Sequence, residues 1–311
     1  MRSCLGLASD RIHTGAASHL ARKPITLKAP AKINLTLEVV GRLPNGYHAI
    51  RSVFVRLDKL SDTIELRIAR GGSGIRLSTT SQCIPTDETN ICHRAAAAYL
   101  FATGETAGVD IHIKKNIPVA AGLGGGSSDA ASVFVGLNNY FKAMSPRKLE
   151  ALGGDIGKDV PFFIRGATVC RVSGMGEGIT PLRSFPRFHF LIVHPGIAIS
   201  TADAYRALGR SVWFLSNAAR ADISNVMARA VRTGDVGKIA ATLFNDFEAC
   251  MERAHPVIKE IKQALLAFGA RGALMTGSGS TVFGIYDSRR ALLNAERILK
   301  THYADYVIAS A

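Results

Sequence analysis

The chain has 311 residues, of which 47% are hydrophobic and 20% are charged, and its formal net charge is +14. The composition predicts a full-sized hydrophobic core, and the length suits two domains better than one. No apolar run reaches the ~18 residues of a membrane span, which excludes a membrane-spanning protein. The positive charge is spread along the chain and suits anionic ligands such as nucleotides.

Cysteine and histidine spacing excludes two further classes. The five cysteines form no Cys-x-x-Cys pair and cannot all pair with one another, so we expect buried thiols and a cytoplasmic location. The nine histidines show no metal spacing such as His-Glu-x-x-His, so no metal site built from histidine side chains is expected. Residues 1–23 are rich in alanine, serine and arginine and faintly resemble a transit peptide. We treat them as an unstructured extension.

Strands dominate the beginning of the chain. Apolar residues alternate from Ile25 to Val40, and Pro30 inside this strand predicts a bulge or a break. Either would change the direction of Lys32 and Asn34. The Asn45-Gly46 pair predicts a turn. Further predicted strands are Ile50–Leu57, Thr63–Ile68, Gly74–Leu77 and Val109–Lys115, and a helix is predicted at Asn90–Thr103.

A glycine-rich loop follows, from Pro118 to Ala131. It has four glycines in the five positions from Gly122 to Gly126, and the spacing after it predicts a helix over Ala130–Phe141 capped by the Ser-Ser-Asp group before it. Such a loop at a helix N-terminus presents free N–H groups and is typical of a phosphate site. The loop lacks the lysine of a Walker motif, the third glycine of the dinucleotide fingerprint and the flanking glycines of a nucleophile elbow.

The rest of the chain mixes helices and strands, which predicts an α+β fold. A short helix at Pro146–Gly153 precedes a loop that enters another helix at Asp159-Val160-Pro161, and a hairpin-like segment covers Ala167–Leu182. We place a domain boundary near Leu182–Arg187. Beyond it, strands are predicted at Phe188–His194, Ala273–Thr276, Thr281–Tyr286 and Tyr303–Ile308, and helices at Ala202–Leu208, Ala218–Thr233, Val236–Leu243, His255–Phe268 and Arg289–Lys300.

Three blocks of the chain match a known superfamily in order: Ala29–Leu35, the Gly-Leu-Gly-Gly-Gly-Ser-Ser loop, and Met275–Thr281. They resemble the galactokinase, homoserine kinase, mevalonate kinase and phosphomevalonate kinase superfamily. Two more blocks, Pro44–His48 and Gly157–Phe163, resemble 4-diphosphocytidyl-2-C-methyl-D-erythritol kinases of the non-mevalonate isoprenoid pathway. The match covers nearly the whole chain after residue 24.

The resemblance implies an α+β two-domain kinase. Residues 24–182 would form a ribosomal-S5-domain-2-like N-terminal domain that binds ATP, and residues 183–311 a ferredoxin-like C-terminal domain. The implied reaction is ATP-dependent phosphorylation of the 2-hydroxyl group of a cytidyl diphosphate substrate, with Mg²⁺. Ser127 or Ser128 and the phosphates themselves would hold the metal. Specific nucleic-acid binding and a membrane partner are not expected.

The resemblance also assigns roles to residues. Lys32 and Asp159 match the catalytic pair. Tyr47 and Tyr205 match aromatics that stack on cytosine, His48 a residue that hydrogen-bonds the base, and Asn34 and Thr201 residues that hold the erythritol end. The ATP-binding positions would be Asn90, Lys115, Pro118, Val119, Ala120, Ala121, Gly122, Leu123, Gly124, Gly125, Gly126, Ser127, Ser128, Gly277 and Ser278. The chain departs from the pattern at Lys158, where the family usually has alanine, and the segment Gly209–Asn217 with the only tryptophan, Trp213, matches nothing.

Without the resemblance, the residues leave alternatives open. A lone strand lysine such as Lys32 is usually solvated, and Asp159 suits the ordinary role of a helix N-cap. Another kinase of the same superfamily, of the homoserine or mevalonate kinase type, is the first rival function. A nonenzymatic RNA-binding protein is the second, because of the net positive charge, but no interleaved aromatic and basic residues support it.

Overall fold

The computed structural model describes residues 23–182, 188–209 and 221–311. The extension over residues 1–22, the predicted boundary at residues 183–187 and most of the Trp213 segment lie outside the described residues, so those expectations stay predictions. Within the described ranges, no helix has both the length and the apolar character that a membrane crossing requires.

Two unusually long strands form the centre of the first sheet. Strand β1 (Ile25–Arg42) pairs antiparallel with β2 (His48–Arg70). The register shifts between Pro30 and Ala31, which confirms the predicted bulge. The two separate strands predicted at 50–57 and 63–68 are wrong, because β2 runs through residues 58–62 without ending. The remaining strands of this sheet are β3 (Ile75–Thr79), β4 (Ala107–Lys114), β5 (Val169–Gly174), β6 (Gly178–Pro181) and β8 (Phe244–Asn245). The sheet order is β3-β4-β2-β1-β8, and β5 pairs with β2 and with β6.

Four helices cover one face of this sheet, where the aromatic side chains of Tyr99, Phe134 and Phe162 are fully buried. They are α1 (Ile91–Thr103), α2 (Gly125–Phe141), α3 (Pro146–Ile156) and α4 (Val160–Arg165). Helix α2 begins five residues earlier than predicted, inside the glycine run. Its N-cap is Gly124, so the prediction that the Ser-Ser-Asp group caps it is wrong.

The second sheet has the order β11-β7-β10-β9 and is antiparallel throughout. Its strands are β7 (His189–His194), β9 (Gly272–Met275), β10 (Val282–Tyr286) and β11 (Val307–Ser310). Helices α9 (Val257–Ala267) and α10 (Arg289–His302) pack on one face. The crossed strand order with both helices on one side is the ferredoxin-like arrangement that the resemblance implied. Helix α10 includes more of the chain than predicted, so the last strand begins at Val307 rather than Tyr303.

The other face of the second sheet packs against β1 and β2. Phe190 and Phe283 share a buried cluster with Ile33 and Val55 of the first sheet. Strand β8 adds to the edge of β1, pairing Thr36 with Phe244. The remaining helices are α5 (Thr201–Leu208), α6 (Ile223–Thr233), α7 (Val236–Thr242) and α8 (Glu248–Ala254). Neither β8 nor α8 was predicted from the sequence.

Candidate active site

A cavity of about 550 Å³ lies between the two halves of the described chain. Its walls come from β1, the loop before α2, the start of α4, the start of α5 and the loop between β9 and β10. The predicted residues that line it are Lys32, Asn34, Asn90, Lys115, Pro118 to Ser127, Asp159, Thr201, Tyr205, Gly277 and Ser278. The structure therefore brings together most of the predicted site, although its members are spread over almost the whole sequence.

The N-terminus of α2 presents free donors to this cavity. Gly124 adopts φ 70°, a left-handed conformation that glycine tolerates, and turns the loop into the helix. The first N–H that bonds within the helix belongs to Ser128, which donates to the Gly124 carbonyl at 3.0 Å. The N–H groups of Gly125, Gly126 and Ser127 precede it and have no intrahelical partner. With no acidic residue in the first turn, this helix start favours a bound anion.

Two glycines join the halves at the cavity. A Cβ built on Gly122 would lie 2.3 Å from the carbonyl oxygen of Thr276, and one on Gly277 would lie 2.7 Å from the Gly122 carbonyl oxygen. Both residues have positive φ, 75° and 60°. Since a side chain fits at neither position, the loop before α2 and the loop after β9 touch backbone to backbone.

Lys32 and Asp159 meet in the cavity. Lys32 Nζ lies 3.7 Å from Asp159 Oδ2 and donates to Asn34 Oδ1 at 2.7 Å. The Lys32 N–H also donates to the Leu123 carbonyl, which ties β1 to the glycine loop. Asp159 occupies the N-cap position of α4, but within the described residues its carboxylate makes no capping hydrogen bond. The ordinary role of a helix cap therefore does not account for it.

Burial sets the electrostatics of this pair. The lysine is 4% exposed, while the Asp159 side chain is 28% exposed. Burial lowers the pKa of Lys32 below its ordinary value, and the neighbouring Asp159 carboxylate opposes that shift. A cation so poorly solvated gains strongly from an incoming anion, because the anion replaces the water it has lost.

Asn34 is fixed by groups from both halves. Its N–H donates to Thr276 Oγ1 at 3.0 Å, and the Thr276 hydroxyl donates to Asn34 Oδ1 at 3.1 Å. Its Nδ2 donates to Ser52 Oγ at 3.0 Å. Thr276 lies in the matching block Met275–Thr281 but is not among the predicted site residues. Its link to Asn34 spans 242 positions, which local pattern reasoning does not reveal.

The predicted base-binding residues lie at the rim. The rings of His48 and Tyr205 stack at 4.0 Å between centroids, and Tyr205 packs edge-on against Phe247. Burial, together with the Asp159 charge, raises the pKa of Tyr205 to about 12. Tyr47 is 53% exposed, and neither it nor His48 lines the cavity. A base stacked between Tyr47 and Tyr205 would require His48 to leave the Tyr205 ring face.

Two predicted ATP-binding residues, Asn90 and Ser128, have a structural role or line a different cavity. Asn90 caps α1, accepting from the Cys92 N–H at 2.8 Å and donating to the Pro85 carbonyl at 2.7 Å. Ser128 is fully buried and lines a second cavity of about 370 Å³ on the other side of α2. Its hydroxyl has no hydrogen-bond partner among the described residues.

Lys115 belongs to a buried ion cluster beneath the start of α2. Its Nζ donates to Asp62 Oδ2 and, at 2.8 Å, to Asp129 Oδ2. Burial raises the pKa of Asp129 to about 8, while the charge of Lys115 opposes that shift. Asp129 lines the cavity, and its Oδ1 has no partner among the described residues. Asp129 is not among the predicted site residues, because in the sequence it belongs to the Ser-Ser-Asp group predicted to cap the helix.

Comparison with known proteins identifies the family. Residues 90–167 match the family model described as GHMP kinases N terminal domain, and residues 227–305 match GHMP kinases C terminal. A 4-diphosphocytidyl-2-C-methyl-D-erythritol kinase from Geobacter metallireducens is 41% identical over 289 residues, covering 93% of this chain and 98% of that relative. This chain belongs to the 4-diphosphocytidyl-2-C-methyl-D-erythritol kinase family. A relative of the same name from Alkaliphilus metalliredigens is 43% identical over 266 residues, which cover 85% of this chain and 88% of that protein.

Solved structures agree with this family. The crystal structure of a 4-(cytidine 5'-diphospho)-2C-methyl-D-erythritol kinase matches with a TM-score of 0.73 and 31% identity, over 92% of this chain and 98% of that chain. A homoserine kinase from Cytophaga hutchinsonii also gives a TM-score of 0.73 over 96% of each chain, but at 18% identity. The second match shows the shared fold alone. The predicted superfamily, family and fold class are confirmed, and family membership makes the chain an ATP-dependent kinase.

Proposed function

We propose that this chain transfers the γ-phosphoryl group of ATP to the 2-hydroxyl group of 4-diphosphocytidyl-2-C-methyl-D-erythritol, here called the cytidyl substrate. The observation that carries the proposal is the shared cavity, where the free N–H groups of α2 face the same space as Lys32 and Asp159. Relatives of that name at 41–43% identity support this acceptor over homoserine or mevalonate. The reaction belongs to non-mevalonate isoprenoid precursor biosynthesis.

The residues that line the cavity are suited to bind a nucleoside triphosphate. A loop with almost no side chains allows phosphate oxygens to approach the N–H groups of Gly125, Gly126 and Ser127, and Gly277 and Ser278 close the cavity from the other half. Bound ATP with Mg²⁺ supplies the phosphoryl group and part of the charge neutralisation. Ser127 would hold Mg²⁺, and Asp129, whose Oδ1 has no partner among the described residues, would supply a second oxygen ligand. Asn90 and Lys115 support the site indirectly, through the caps and ion pairs described above.

In this mechanism the chain's own residues position the two substrates and neutralise the negative charge of the transferring phosphoryl group. Asn34 and Thr201 orient the erythritol end so that its hydroxyl group faces Asp159. The Asp159 carboxylate accepts the hydroxyl proton as the new P–O bond forms and the bond from the γ-phosphorus to the leaving ADP breaks. Lys32 stabilises the negative charge that develops on the transferring group. Tyr47, His48 and Tyr205 hold the cytosine base at the rim. We also propose a cytoplasmic location, which is consistent with free thiols at Cys83, Cys92, Cys170 and Cys250.

The direct test is turnover by the purified chain. Incubation with ATP, Mg²⁺ and the cytidyl substrate should give ADP and a new phosphomonoester signal by phosphorus NMR. Homoserine and mevalonate in parallel reactions should give no product. Phosphorylation of either one in preference to the cytidyl substrate would overturn the proposed acceptor, while leaving the kinase fold intact.

A further inference from the structure

The turn between β1 and β2 is a self-contained unit that carries Tyr47. The Leu43 N–H donates to the Tyr47 carbonyl at 2.7 Å, and the Gly46 N–H donates to the Leu43 carbonyl at 2.9 Å. Asn45 Oδ1 accepts from the Tyr47 N–H at 3.1 Å. The turn's backbone is therefore fixed internally, but these bonds leave the direction of the exposed Tyr47 ring open.

Lys158 supplies the contact that directs the ring. Its Nζ lies 5.1 Å from the centroid of the Tyr47 ring, within the range of a cation–π interaction. The same ammonium group donates to the Gly154 carbonyl of α3 at 3.0 Å. No carboxylate of the described ranges forms an ion pair with it. The Lys158 ammonium group therefore contacts the Tyr47 ring and the Gly154 carbonyl rather than a carboxylate.

The backbone of Lys158 is also held. A Cβ built on Gly176 would lie 2.4 Å from the Lys158 carbonyl oxygen, so the turn between β5 and β6 packs directly on this residue. Asn45 reaches the same turn, its Nδ2 lying 3.5 Å from Met175 Sδ. Three loops therefore meet at the cavity rim, and Lys158 contacts both of the others. Its neighbour Asp159 faces the cavity itself.

We propose that Lys158 is a positioning residue for the cytidyl substrate, which holds the Tyr47 ring from one face and leaves the opposite face to stack on the base. This inference rests on the proposed function, because it gives Tyr47 a cytosine to bind. A ring with an ammonium group on one face has only its other face free for stacking. Holding the ring before binding lowers the conformational entropy lost when the base arrives.

The test compares Lys158→Met, which keeps the length of the side chain without its charge, with Lys158→Arg, which keeps a cation. A cation–π contact at an exposed site corresponds to about a 2- to 5-fold change in affinity. Lys158→Met should raise KM for the cytidyl substrate by that factor and leave kcat and KM for ATP unchanged. Lys158→Arg should keep the parent's KM for the cytidyl substrate. Lys148→Met, on the exposed surface of α3, is the matched control for loss of one positive charge and should change none of these constants.

A double-mutant cycle with Tyr47→Ala decides whether Lys158 acts through the ring. Without the ring, Lys158→Met should have no further effect on KM for the cytidyl substrate or on calorimetric binding of CMP. An equal loss with and without the ring would overturn the inference, because Lys158 would then act on the substrate directly. The inference would also be overturned if the parent chain phosphorylates the cytidyl substrate and Lys158→Met leaves KM for that substrate unchanged. A parent chain that fails to bind or phosphorylate it refutes the proposed function instead.

Discussion

The sequence allows two roles for Asp159, a helix cap or a catalytic carboxylate, and the structure argues against the helix cap. Its carboxylate faces Lys32 and the cavity, and among the described residues it makes no hydrogen bond to the N–H groups at the start of α4. A hydroxyl group is too weak an acid to ionise at neutral pH, so a carboxylate at this position is suited to orient it and to accept its proton. Local sequence allowed both roles because they share the same position before α4.

Asp159→Asn should separate proton acceptance from shape. The amide keeps the size and one acceptor but loses the charge, so we expect turnover to fall by about 10²–10⁴-fold with little change in either KM. Steady-state kinetics with both substrates measures this. Asp155→Asn, an exposed position at the end of α3, is the control and should retain full turnover. Turnover of Asp159→Asn within a few-fold of the parent would exclude Asp159 as the proton acceptor.

Lys32 predicts an alkaline limit to activity. Burial lowers its pKa, so the folded chain loses this proton below the ordinary value of 10.5, while the unfolded chain keeps it until that value. The role proposed for Lys32 requires its charged form, so kcat/KM should fall as the pH rises through the lowered pKa. For stability the sign is opposite: the cost of burying the cation is fully present below the lowered pKa and is relieved as the pH rises from that pKa to 10.5, where the unfolded chain loses the proton as well.

Lys32→Arg tests this assignment, because a guanidinium group keeps its proton throughout the range. Its kcat/KM is expected to be lower than the parent's at neutral pH, since the buried site was shaped for an ammonium group, but its alkaline decline should move to higher pH. A decline at the same pH in both proteins would show that another group titrates. The pH profile, not the absolute rate, is the measurement that matters.

At the scale of elements, the sequence predicted types well and the long-range connections poorly. Most predicted helices and strands are present within a few residues, because their apolar spacing reflects burial. Strand β8 has only two residues and exists because the edge of β1 is available to it. Lys115, predicted to bind nucleotide, also forms ion pairs with two buried carboxylates. Local patterns did not predict these pairs, because the partners lie 53 and 14 positions away in the sequence.

The start of α2 shows why one boundary was wrong. Glycine is the weakest ordinary helix former, so propensity placed the helix after the glycines. The structure begins it at Gly125, and Gly124 supplies the left-handed turn that allows this. The consequence is functional: the free N–H groups of the first turn belong to residues almost without side chains, where a phosphate can reach them.

Gly126→Val tests this helix start. Gly126 is the second residue of α2, and a Cβ there has only Ile91 Cγ2 nearby, at 3.8 Å, so the fold tolerates a side chain that blocks the N–H groups. Losing charge-assisted hydrogen bonds worth about 1.5–3 kcal/mol should raise KM for ATP roughly 10- to 100-fold. Gly237→Val changes the exposed second residue of α7, away from the cavity, and is the control for a valine at a helix start; its Cβ would lie 3.2 Å from Oδ1 of the capping Asp235, so its stability is measured alongside. Equal KM values for ATP in the two variants would remove the helix start from nucleotide binding.

At the scale of the whole molecule, the site exists only where two sheets with different topologies meet. Asn34 takes its orientation from Thr276, and Asn245 donates to the carbonyl groups of Met275 and Gly277 at 2.7 and 2.9 Å. Neither half alone contains both the glycine loop before α2 and the loop after β9 that borders the same cavity. The motif blocks revealed that these segments belong to one family, but their mutual contact depends on packing that no single block encodes.

Gly122→Ala should show how much the reaction depends on that contact. Gly122 has φ 75°, and its added methyl group would overlap the Thr276 carbonyl oxygen. Gly196→Ala is the matched control, because Gly196 has φ 78° and nothing within 4 Å of its Cβ position. Both substitutions impose left-handed backbone on alanine, at a cost of about 1–2 kcal/mol, which chemical denaturation measures.

The comparison separates backbone strain from loss of the interface. Gly196→Ala should lose only the strain energy and keep its kinetic constants. Gly122→Ala should lose more stability and also have lower kcat/KM for ATP and for the cytidyl substrate, because both are proposed to bind in the cavity that the contact borders. If the two variants lost equal stability and Gly122→Ala kept its kinetic constants, the backbone contact between the loops would be dispensable. The phosphate site would then be complete within the first half of the chain, with Gly277 and Ser278 only bordering it.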